Sequence, residues 1–135
     1  MVEVLIEYMG DKRCMAIHGP SRQTLTTDAP VDNQGKGEFF SPTDLVATAL
    51  GACMATVMGI VAERDGIDLS GLAVKVEKGM VSDPERRIGR LEATFTMPPG
   101  LPASQRKKLE RAARHCPVKK SLRPEVDISL SFVYP

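Results

Sequence analysis

Tryptophan is absent, and the aromatic side chains amount to four phenylalanines and two tyrosines, too few to stack bases along a single-stranded nucleic acid. An excess of one charge is missing as well. With 18 lysines and arginines against 17 acids, the net charge is +1 and the isoelectric point about 7.7. Nucleic acid or an anionic membrane would call for a basic patch, and the run Arg106-Lys107-Lys108 reads instead as a solvated helix face. Neither partner is expected. Cysteine is sparse too: Cys14, Cys53 and Cys116 form no CxxC and have no histidine at ligand spacing, which argues against structural zinc, so no metal or cofactor is expected. The opening MVEVLIEYMG carries Glu3 and Glu7 where a secretory leader would be basic, and it reads as a strand. Unpaired thiols and no leader together predict a cytoplasmic protein.

What is present is dominated by one stretch, Ser41 to Arg64. Ser41 suits an N-cap, Pro42 the first helical position, and Asp44 can reach back to close a capping box. From Leu45 to Ala62 no residue is charged, a length at the lower limit of a membrane span. Gly51, Gly59, Thr48, Thr56 and several alanines dilute the run, and its flanks are amphipathic, so it reads as a helix buried on all sides. Ala47, Gly51, Ala55 and Gly59 recur every fourth residue and predict a close helix crossing, between subunits if not within one.

The rest alternates. Val2 to Met9 and Arg13 to His18 read as a hairpin around Gly10-Asp11, and Gln23 to Asp28 as a third strand with Leu25 inward. A loop with Gly35, Gly37 and the pair Phe39-Phe40 leads to Ser41, the two rings being a candidate pocket wall. Beyond a helix stop at Asp65-Gly66, Leu72, Val74 and Val76 mark one half-buried strand and Leu91, Ala93, Phe95 and Met97 another. Ser104 to Cys116 reads as an amphipathic helix with Leu109, Ala112, Ala113 and Cys116 inward, ended by Pro117. Val126 to Tyr134 forms the last strand. The order βββ-α-ββ-α-β, joined by hairpins, predicts an α+β class with antiparallel pairing in a single domain, residues 1–135.

Taken alone, each cysteine reads as a small core hydrophobe, Cys14 most plainly, and Met54 and Met58 as core filling. Two segments change the balance: SPTDLVATALGAC in the first helix and HCPV after the second, their cysteines sixty-three positions apart. In sequence, order and spacing they resemble the two cysteine motifs of the OsmC/Ohr family, the osmotically inducible and organic hydroperoxide resistance proteins, over nearly the whole chain. The resemblance implies an antiparallel sheet wrapped around central helices, an intertwined homodimer, and thiol-dependent reduction of organic hydroperoxides recycled by a dithiol reductant. It implies Cys53 as the peroxidatic cysteine and Cys116 as the resolving one.

Physical chemistry agrees with that division. Cys116, expected at a helix C-terminus where the dipole is negative, is poorly placed to hold a thiolate, and Cys53, mid-helix among apolar side chains, needs a nearby cation. The resemblance implies an arginine after the first strand, where GDKRC offers Lys12 and Arg13. Arg13 is preferred because its fork can meet a thiolate and a peroxide oxygen together, and Arg22 is a poorer candidate. The family also implies a glutamate just after the helix-start proline, and this chain has Thr43 there. Asp44 lies roughly 180° from Cys53 around the helix at about 100° per residue, and Glu38 reads as a solvated loop acid. His115 reads as a surface residue and His18 carries no signal. That missing glutamate keeps a rival open: a binding module or thiol redox sensor without turnover.

Overall fold

The computed structural model describes residues 1–135, which divide into two compact units, Met1–Val46 and Ala47–Pro135. The first unit is a three-stranded meander: β1 (Val4–Gly10), β2 (Arg13–His18) and β3 (Thr24–Thr27), each antiparallel to the next. Asp11 and Lys12 both have positive φ, as a primed two-residue hairpin turn requires, and this turn feeds Arg13 into β2 opposite Gly10. Leu25, expected inward, is 44% exposed, whereas Thr27 on the same face is buried. Period-two alternation identifies a face but not how far along it cover extends.

The long helix α1 (Pro42–Asp65) begins and ends as its sequence dictates. Ser41 Oγ accepts the Asp44 amide at 3.0 Å, and Asp44 Oδ2 accepts the Ser41 amide at 2.9 Å, closing the capping box. At the other end Gly66 turns left-handed, its amide donates to the Glu63 carbonyl and the Ile67 amide to that of Ala62, and Ile67 packs into the core. These are the two bonds of a Schellman stop.

Within one chain α1 is not buried on all sides. Ala47, Leu50, Gly51, Met54, Met58 and Ala62 form one covered face, while Ile60 is 62% exposed. Within one chain the small-residue stripe makes no helix crossing. A Cβ on Gly51 would lie 2.8 Å from Val76 Cγ2, so the close approach is to a strand, and at Gly59 no atom would lie within 4 Å.

The second unit's sheet holds β4 (Ala73–Val81), β5 (Arg87–Thr96) and β6 (Asp127–Val133) with β5 central. β4 and β5 are antiparallel, but β5 and β6 run parallel, against the expected pairing. The cause lies in the connection. Between them run α2 (Ala103–Arg114) and a short helix α3 (Pro117–Ser121) that the sequence reading missed, and a crossover of this kind returns the chain in the same direction. The α+β class stands, as two three-stranded sheets rather than one antiparallel sheet. Leu91, Ala93, Phe95 and Met97 are buried as their alternation predicts, and the Phe95 ring stacks on Phe132 across the parallel ladder with centroids 4.8 Å apart. Leu50, Met54, Met58, Leu109, Ala113 and Cys116 complete this core.

Candidate functional site

Cys53 sits on α1 one position before buried Met54, half-buried and packed against the core. Cys116 is fully buried in the same unit. The Cys53 thiol lies close enough to influence the ionisation of Cys116, and neither is in a disulfide. A half-buried thiol thus neighbours a fully buried one. Cys14 lies on β2, paired with Tyr8 and Thr27 in the other sheet.

The expected helix C-terminus at Cys116 needs correction. α2 ends at Arg114 with His115 as its C-cap, and Cys116 is extended and caps the N-terminus of α3. Pro117 stops the first helix and starts the second, since a residue lacking its N–H is suited to a first helical position. Cys116 Sγ accepts the Lys119 amide at 3.4 Å, a contact that favours its thiolate. Burial, first, and then the neighbouring Cys53 outweigh the Lys119 and Val118 amides and push the Cys116 thiol up. The conclusion that Cys116 rests as a thiol survives, on burial rather than a helix dipole. His115 turns its Nδ1 to the Arg111 carbonyl at 2.7 Å, a bond within its own helix.

In the first unit, Arg13 is gripped from several sides. Its Nη2 donates to Glu38 Oε2 at 2.8 Å and lies 3.7 Å from Asp28 Oδ2, and its Cζ stands 5.0 Å from the Phe39 ring centroid. The bond to Glu38 is the main reason the guanidinium is held above its usual value, with Asp28 and Asp11 adding to it. Asp28 is 1% exposed. Burial alone would raise its carboxyl, but the Glu38 and Ala29 amides and the Arg13 charge hold it below the usual range, helped by Lys36. Glu38 is therefore no plain solvated acid, and Asp28 was missed altogether. The available signal was the sequence Thr27-Asp28-Ala29-Pro30, an acid at a strand end where the chain enters a loop. At position 43 the threonine hydroxyl lies 3.2 Å from Ser41 Oγ, within the helix cap.

A family model described as OsmC-like protein matches residues 35–131. The chain is 43% identical to a protein of known structure from Psychrobacter arcticus, named for osmotic stress induction and a detoxification response. All of this chain and 96% of that one align, with a TM-score of 0.89. It has the same fold as an organic hydroperoxide resistance protein OsmC from Legionella pneumophila, at 21% identity and TM-score 0.78, covering 98% of this chain and 96% of that one. Likewise, OhrB of Bacillus subtilis matches at 19% identity and TM-score 0.73 over 98% of each chain. No protein of curated function matches.

Proposed function

The chain belongs to the OsmC-like family, and from that premise we propose that it reduces organic hydroperoxides with the thiols of Cys53 and Cys116. The observation that carries this reading is that one half-buried cysteine packs against the core that holds a fully buried one, near enough for Cys53 to hinder ionisation of Cys116. Fold relatives named organic hydroperoxide resistance proteins supply the substrate class.

In this reading the Cys53 thiolate attacks the terminal peroxide oxygen. The O–O bond breaks, the alkoxide takes a proton and leaves as an alcohol, and Cys53 becomes a sulfenic acid. The Cys116 thiol then displaces hydroxide, water leaves, and a Cys53–Cys116 disulfide forms that a dithiol reduces. Arg13 supplies the cation that steadies the thiolate and the departing oxygen. The protein works as a homodimer, whose second copy covers the apolar residues that β1 exposes, Ile6 at 61% among them, and the bare side of α1. Its need for reducing dithiols suits the cytoplasm. No metal or cofactor enters any step.

One equivalent of cumene hydroperoxide, followed by peptide mass spectrometry, tests the reading. A single Cys53–Cys116 disulfide with Cys14 still a thiol is the expected result. If Cys53 stays reduced while peroxide persists, the binding-module reading replaces this one, and a disulfide formed without turnover would make the protein a redox sensor.

A further inference from the structure

Asp28 alone among the acids is buried, although a carboxylate placed out of water is costly unless its oxygens are engaged. Its position follows from strand register. Cys14 pairs with Thr27 in the antiparallel β2–β3 ladder, so Arg13 and Asp28 occupy the next rung, just beyond the last pair. Opposite charges meet there across the two strands, at 3.7 Å.

Asp28 also closes the base of the loop of residues 28–40. Its amide donates to the Phe40 carbonyl at 3.1 Å, its Oδ1 accepts the Ala29 amide at 2.8 Å, and its Oδ2 accepts the Glu38 amide at 3.2 Å. Inside that base, the Gly37 amide reaches the Ala29 carbonyl, and the Asn33 and Gly35 amides share that of Pro30. The loop is thus pinned at both ends of one residue. Its outgoing end presents the Glu38 carboxylate and the Phe39 ring to Arg13. Glu38 is 52% exposed and would wander on its own; with its backbone tied to Asp28, it meets the guanidinium at 2.8 Å.

We infer that Asp28 is a positioning residue, whose single buried carboxylate orients Arg13 directly across the strands and indirectly by placing Glu38. The inference rests on the reading of Arg13 as the cation of the thiol chemistry. Two effects of Asp28 oppose each other. Its negative charge weakens the field that Arg13 offers a thiolate, and its hydrogen bonds fix where that field points. A bound geometry lost by about an ångström can cost up to about a hundredfold in rate, so orientation dominates.

The test is a double-mutant cycle read by iodoacetamide labelling of Cys53 at neutral pH, with cumene hydroperoxide turnover alongside. Asp28→Asn, nearly isosteric, is expected to slow both about tenfold in an otherwise native chain, and by less than twofold in an Arg13→Ala background. Equal slowing in both backgrounds would make Asp28 merely structural, faster labelling would make it a damping charge, and either overturns the inference. Should Asp28→Asn not fold, Glu38→Gln, at an exposed side chain, runs the same cycle with about threefold expected. Phenylglyoxal modification separates this claim from the reading it rests on. Arg13 should be modified several-fold faster in Asp28→Asn, or in Glu38→Gln where that variant substitutes, even if Arg13→Ala leaves Cys53 labelling unchanged. In that case the thiol role of Arg13 fails and the clamp stands, whereas unchanged phenylglyoxal reactivity sinks the clamp alone.

Discussion

The thiol pair and the arginine clamp are built on opposite physical principles. Cys53 and Cys116 are held by apolar packing around Leu50, Met54, Leu109 and Phe95, with one amide contact to Cys116. Arg13 is held by charges and hydrogen bonds from a strand end and a loop, with one ring beside it. Packing fixes a sulfur by denying it space, and costs it solvation. A clamp fixes a guanidinium by directional bonds and leaves it 26% exposed, still able to meet a ligand. Under the proposed thiol chemistry, the first arrangement suits a nucleophile that must be shielded from over-oxidation, and the second a cation that must find a substrate oxygen.

The largest break in that comparison comes from the sulfurs themselves. Cys53→Ser should reduce hydroperoxide consumption to the uncatalysed rate. Cys116→Ser should keep the first oxidation but let Cys53 accumulate as sulfinic acid under excess oxidant, read by peptide mass spectrometry. Loss of the first oxidation in Cys116→Ser would reverse the two roles. Next comes the packing that holds them. Phe95→Ala removes a buried ring stacked on Phe132 and should cost about 3–5 kcal/mol in denaturant unfolding, against less than about 1 kcal/mol for Glu38→Gln on the exposed loop. Similar losses for the two variants would erase the distinction between the regions.

The same contrast explains what the sequence made legible. Burial by packing leaves a periodic trace, so alternation places Leu91, Ala93, Phe95 and Met97 inward, and the helical stripe of α2 does the same for Leu109, Ala112 and Ala113. The capping box at Ser41 and the stop at Gly66 are local chemistry and could be read residue by residue. Three things were not local. The parallel β5–β6 pairing depends on what a crossover does in space, and a strand's own residues do not record their partner's direction. Which side of α1 one chain leaves bare does not show in its sequence, because an all-round apolar helix marks no face as outer. The clamp depends on Asp28 and Glu38 meeting a residue far upstream, and acids in a glycine-bearing loop look solvated when read in place.

A smaller effect sharpens the comparison from the arginine side. Arg13→Ala should slow iodoacetamide labelling of Cys53 at neutral pH about tenfold, because a cation stabilises only the charged sulfur. An unchanged labelling rate would remove Arg13 from the thiol chemistry while leaving the two-cysteine scheme intact.

The smallest predicted effect is a difference in which end of the pH scale loosens each region. Asp28 has its carboxyl held below the usual range, so the stability it contributes is present above the ordinary value near 4 and is lost as pH falls through the lower folded value. Cys116 is the reverse case. Its thiol is pushed up, by burial first and then by Cys53, so its contribution is complete below the ordinary cysteine value and lost as pH rises through the higher folded one. Hydrogen exchange by mass spectrometry can follow both. Acidification below about pH 4 should raise the opening of the Ala29 and Glu38 amides, which Asp28 holds, before that of Lys119, which Cys116 holds. Alkaline conditions should open α3 first and leave the loop of residues 28–40 protected. After correction for the intrinsic pH dependence of exchange, simultaneous opening of both segments at either extreme would mean that one global unfolding event governs them, and that packing and clamp are not separately stabilised.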